Sequence, residues 1–75
     1  MTKLQERREK KFSRNELSQM LGFKPQLIRQ YEQGFRNIDG ANIKTLAKLA
    51  RALNCKLSDL VEDEETVRIL LELGQ

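Results

Sequence analysis

Three glutamines, Gln26, Gln30 and Gln33, recur at spacings of four and three in the stretch GFKPQLIRQYEQG. On a helix that spacing lines them along one face. A glutamine amide carries a donor and an acceptor side by side. It can therefore donate to N7 of adenine and accept from its N6 amino group, a match worth roughly 1–3 kcal/mol of discrimination. Pro25 and Leu27, set among the amides, offer only apolar surface. Both suit a thymine methyl, and Leu27 suits a partly buried core equally well. A·T-containing half-sites are the expectation. Lys24 and Arg14 stand at the starts of two helices and suit phosphates, with Arg29, Arg36 and Asn37 as further backbone candidates. Such residues also cover ordinary solvated helices, so the stripe alone does not decide a function.

Other chemistries are thin. The chain has no histidine and one cysteine, Cys55, which excludes Cys/His zinc sites, histidine acid–base chemistry and an internal disulfide. Cys55 reads as a small buried hydrophobe rather than a reactive thiol. The carboxylates of Glu62 to Glu65 form a charge run, which reads as solvated surface. No nucleophile–base pair, phosphate-cradling loop or metal spacing is present, so neither enzymatic activity, nor a cofactor, nor a metal is expected. The N-terminal MTKLQERREKKF is too charged for a signal peptide, and no apolar run approaches membrane length. A cytoplasmic protein with no membrane partner follows by elimination.

The elements that must position the amides are helical. Strand alternation is absent, and helical spacing recurs. Residues 2–10 favour helix with Leu4 as the firm apolar anchor. Ser13 and Glu16 make a capping-box pattern, with Phe12 and Leu17 placed to staple across it. Leu17, Met20 and Leu21 form the inner face of Arg14–Leu21, and Gly22 stops it. Pro25 opens the next helix at its first position, leaving Lys24 just outside. Ile28 and Tyr31 face inward, and Gly34 closes the helix before an exposed FRN turn. Asp39 is the expected cap of the main core helix, with Ile38 and Ile43 stapling across it. Its apolar face is Ile43, Leu46, Ala47, Leu49, Ala50 and Leu53, ending at Asn54. A further helix is expected from about Leu57, with Leu60 and Val61 inward. EDEE either extends that helix or begins a new turn. Val67, Leu70 and Leu71 form a last stripe, with Ile69 and Leu73 beside it.

Two short helices joined by a tight glycine-containing turn, Arg14–Leu21 then GFK then Pro25–Gln33, describe a helix-turn-helix. Its second helix would enter the DNA major groove. Charge agrees: residues 1–36 hold nine Lys/Arg against four Glu, and residues 37–75 five Lys/Arg against seven Asp/Glu. A basic front half and an acidic tail suit a polyanion at one end, although an ordinary solvated surface gives the same totals.

The runs FSRNELSQMLGFKPQLIRQYEQGFRN and TLAKLARALNCKLSDLVED resemble the Cro/C1-type (XRE) helix-turn-helix domain over about residues 3–63. The Ser-x-x-Glu-Leu entry, the Leu-Gly turn, Ile-x-x-Tyr-Glu-x-Gly and Leu-Ala-x-Ala-Leu…Leu-x-Asp-Leu carry the likeness together. It implies an all-α, compact five-helix lambda-repressor-like fold, with an extra C-terminal helix as an option. It also implies that Gln26 and Gln30 face bases, and that Arg14, Gln33 and Arg36 meet phosphates. The chain departs from the pattern at Lys24 and Lys56, where a small hydroxyl residue is usual, at Pro25, usually polar, and at Arg14, often glutamine. Helix 1 lacks its second apolar residue, which falls on Arg7.

The resulting expectation is a domain over residues 1–63 and a C-terminal extension over 64–75. The function expected is a sequence-specific DNA-binding regulator, a repressor that binds double-stranded DNA as a homodimer. The alternative is an antitoxin-like interaction module that masks a protein partner and autoregulates its operon. Val67, Leu70, Leu71 and Leu73 are the dimerisation candidates, and a tail folded back on its own core stands equally. No small-molecule ligand is expected from a chain this short.

Overall fold

Leucine and isoleucine at helical spacing leave one way to hide their side chains: short helices stacked on one another. The computed structural model describes all 75 residues. It contains α1 (Lys3–Glu9), α2 (Arg14–Leu21), α3 (Pro25–Glu32), a 3-10 turn (Ile38–Gly40), α4 (Ile43–Leu53), a second 3-10 turn (Leu57–Asp59) and α5 (Glu64–Glu72), with no strand. Leu4, Leu17, Ile28, Leu49, Leu53 and Leu60 are sealed from solvent at the centre: one each from α1, α2 and α3, two from α4, and Leu60 just after the second 3-10 turn. Each such side chain contributes about 1.5–3 kcal/mol through burial. No helix is long and apolar enough to cross a membrane.

The local signals for α2 and α3 hold. The Ser13 N–H donates to Glu16 Oε1 at 2.8 Å and the Glu16 N–H to Ser13 Oγ at 3.1 Å, completing the capping box. Gly22 takes φ +71° and ends α2, its N–H on the Ser18 carbonyl. Lys24 is extended and supplies no side-chain cap, so Pro25 starts α3 on the strength of its fixed φ. Gly34, at φ +80°, turns the chain out of the helix.

Four expectations need correction. Met20 is exposed rather than inward, because the buried arc of α2 runs through Leu17, Leu21 and Ser18. Ser18 is small enough to seat the helix closely, and its hydroxyl is satisfied by the Asn15 carbonyl at 2.9 Å. Asp39 does not cap α4. Asn42 does, its side chain accepting from the Lys44 N–H at 2.7 Å, because the first 3-10 turn uses up residues 38–40. Asp39 Oδ1 instead accepts the N–H groups of Glu62 at 2.7 Å and Asp63 at 3.3 Å, tying the C-terminal segment to this turn. The later start leaves Ile43 exposed at the tip of α4, and Ala47 is also exposed, one position off the buried stripe Leu46, Leu49, Ala50 and Leu53.

The fourth correction concerns the helix expected from Leu57. It is a single 3-10 turn, since Lys56 supplies no acceptor for a first turn and the chain straightens after Leu60. EDEE begins a new helix instead. Asp63 caps α5 by accepting from the N–H and the hydroxyl of Thr66, at 2.9 and 2.7 Å. The fifth α-helix is thus the C-terminal one. It packs on the second 3-10 turn, and the Ser58 N–H donates to the Gln75 carbonyl at 3.1 Å. No residue of α5 is fully buried: Val67 and Leu70 are half-buried, while Ile69, Leu71 and Leu73 face solvent.

Candidate nucleic-acid interface

The outer face of α3 is set by what its inner face holds. Ile28 is buried in the core, and four residues on Glu32 is also buried, its side chain fully shielded from solvent. A carboxylate there demands cations, and two arrive. Arg8 of α1 donates from both Nε and Nη2 to the two oxygens of Glu32, and Arg14 of α2 donates from Nε to Oε1 at 2.9 Å. Arg8 uses Nη1 to reach the Phe12 carbonyl at 3.0 Å. Three helices are therefore locked at one point, and α3 cannot rotate about its axis without breaking charge-assisted hydrogen bonds.

Sequence reading missed this cluster. Arg8 lies four residues after Leu4 and so shares its inward face, a spacing that its charge concealed. The second inner position of α1 is Arg8, not Arg7. Arg7 instead pairs with Asp59 at 3.3 Å on the surface.

With Ile28 and Glu32 inward, Pro25, Gln26 and Arg29 stand exposed, while Leu27 and Gln30 are half-buried. Tyr31 packs on the core. Gln33, Arg36 and Asn37 follow in the exposed turn, and Lys24 is exposed at the helix entry. Lys24, Gln26, Leu27, Gln30 and Arg36 line one shallow depression. A neighbouring one is lined by Arg8, Glu9, Ser13, Arg14, Asn15, Pro25, Gln26 and Arg29, so the start of α2 and the first turn of α3 share a wall. Lys24, Arg29 and Arg36 make no ion pair within the chain. Arg14 keeps about a third of its side chain exposed while holding Glu32. The Ser13 N–H, and then its hydroxyl, hold the Glu16 carboxyl below its ordinary range, so α2 opens on a fixed negative cap.

Two further features carry no sequence signal. Phe35 is 75 % exposed beside Gln26, Arg29 and Gln30. Arg36 folds back over α3, its N–H on the Gln30 main-chain carbonyl at 3.1 Å and its Nε on Gln30 Oε1 at 2.8 Å. Asn37 uses its side-chain oxygen to accept the Asp39 N–H at 2.9 Å.

A helix-turn-helix family model matches residues 4–60, which spans α1 through the second 3-10 turn. The chain belongs to the Cro/C1-type helix-turn-helix family. No curated protein and no solved structure matches it. The family is one of DNA-binding transcriptional regulators rather than enzymes. In this family member α2 and α3 are the paired helices, and the turn between them is Gly22–Phe23–Lys24.

Proposed function

We propose that the protein is a repressor that reads the major groove of an operator with α3 and binds as a symmetric dimer. The observation carrying this reading is the anchoring of α3. The Arg8–Glu32–Arg14 cluster and Ile28 hold one side of the helix to the body. The opposite side presents Pro25, Gln26, Leu27 and Gln30 as base contacts. Arg14, Lys24, Arg29, Gln33, Arg36 and Asn37 surround them as phosphate contacts. Base reading requires donors and acceptors held in fixed register, and a helix clamped at both ends of its inner stripe supplies that.

Dimerisation supplies the second half-site. Each chain carries one such helix, and its longest dimension is 33 Å. Reaching the next turn of the groove, about 34 Å away, takes a second copy. Residues 1–63 serve as the DNA-binding domain and residues 64–75 as the subunit contact. Val67 and Leu70 steady α5 on its own domain, and Leu71 and Leu73 meet the partner together with Ile69. The same exposed apolar strip supports a second reading, in which α5 masks a protein of another kind and the chain regulates its own operon.

A gel shift on the DNA upstream of the protein's own gene tests the main reading. Sequence-selective binding that weakens steeply with salt supports it, and its absence there and on other DNA contradicts it. Deleting residues 64–75 tests the subunit contact by sedimentation. A dimer that becomes a monomer supports it. An unchanged oligomeric state contradicts it, and a wild-type monomer that captures a different protein through α5 favours the second reading.

A further inference from the structure

The bond between Arg36 and Gln30 bears directly on which base Gln30 reads. Gln30 Oε1 accepts from Arg36 Nε at 2.8 Å. The orientation of a glutamine amide is ordinarily ambiguous, but here chemistry fixes it. A guanidinium carries only donors, so the oxygen must face Arg36 and the NH2 group must point away. Arg36 is itself held, because its main-chain N–H bonds the Gln30 carbonyl at 3.1 Å once Gly34 has turned the chain through φ +80°. Both residues line the same depression on the face of α3, together with Lys24, Gln26 and Leu27.

We infer that Arg36 is a positioning residue that makes Gln30 a donor-only reader, and that the base pair under Gln30 is read at guanine. The inference rests on the DNA-reading role proposed above. Adenine needs an acceptor for its N6 amino group; Gln30 Oε1 keeps a second lone pair, but the oxygen is turned toward a guanidinium and the NH2 group toward the base. That guanidinium also sets a positive charge beside the place where the adenine amino group would lie. Guanine presents N7 and O6, two adjacent acceptors, to the same donors. Gln26, which makes no side-chain hydrogen bond, keeps both halves of its amide for adenine. The half-site would then combine one A·T pair read by Gln26 with one G·C pair read by Gln30, rather than a uniform A·T run.

The test is a competition gel shift with all four base pairs at one position. Gln30→Ala identifies that position as the one whose preference it erases. The wild type should favour guanine over adenine there by roughly 5- to 150-fold, the range of a good base contact. Arg36→Ala lies outside every helix at an exposed position, so it should leave the fold intact, as circular dichroism would verify. It frees the amide to turn over, and the guanine-to-adenine ratio should fall several-fold or reverse, with adenine operators gaining relative affinity. Arg29→Ala is the control, expected to weaken all four operators equally. A role for Arg36 limited to phosphate contact would behave like this control and would overturn the inference. Adenine preferred by the wild type, or a Gln30→Ala variant that relaxes no position, would overturn it as well. In each of these cases DNA reading by α3 survives. A wild type that selects no sequence at all would remove that reading and this inference together.

Discussion

Removing Glu32 should loosen the joint that holds α1, α2 and α3, and its cost can be reasoned from the partners. Glu32→Ala leaves Arg8, with only 8 % of its side chain exposed, without the carboxylate that takes two of its donors. A guanidinium cannot shed its charge by losing a proton, so the buried cation is left with only a long contact to the exposed carboxylate of Glu9 at 3.9 Å. Breaking such a pair typically costs about 3–5 kcal/mol. A domain of 75 residues has a total stability of about 4–11 kcal/mol at typical per-residue values, so this one change removes a large share. Urea denaturation followed by circular dichroism reads it directly, and the melting temperature should drop by at least about 12 °C. Arg14→Ala should cost no more than about 1 kcal/mol, because Arg14 is partly solvated. The double change Arg8→Met with Glu32→Leu should recover much of the loss, since an apolar pair replaces both charges. A Glu32→Ala protein within about 1 kcal/mol of wild type would refute the reasoning.

Three further outcomes follow. Arg14→Ala should weaken binding to every DNA sequence alike and flatten the salt dependence by roughly 0.9 in log–log slope, the share of one phosphate contact. The Glu16 carboxyl is held below its ordinary value by Ser13, so its contribution is fully present above about pH 4.5 and is lost as pH falls through the lower folded value. Glu16→Gln keeps the capping geometry without the titration, and its stability should vary less than wild type across that acid range in denaturant titrations. Burial pushes the Cys55 thiol up, so alkylation by iodoacetamide near pH 8 should be slower than in the urea-unfolded chain; equal rates would contradict its half-buried setting.

The ends of α2 and α3 were legible because they rest on local chemistry. Ser13, Glu16, Gly22, Pro25 and Gly34 act within a few residues of themselves, and the chain adopts what each dictates. The buried leucines were legible for the same reason, through helical spacing. What escaped depends on residues distant in the chain. Asp39 reads as a helix cap until the N–H groups of Glu62 and Asp63 claim its carboxylate. Arg8 reads as solvated until Glu32, 24 residues on, gives it a reason to be buried. Met20 reads as inward by its apolar character, but the buried arc of α2 takes in the small polar Ser18 instead. At the candidate site, the stripe of amides was visible in the sequence. The bond from Arg36 that orients one of them was not, since it depends on the path of the turn after Gly34.

Selection of bound DNA from a random pool tests the central claim most directly. The wild type should return a palindrome with half-sites one helical turn apart, as a symmetric dimer requires. Repeating the selection with Gln26→Ala should relax one position in each half-site and leave the others as they were. A pool that shows no enrichment, or one whose consensus is indifferent to changes along α3, would contradict the account.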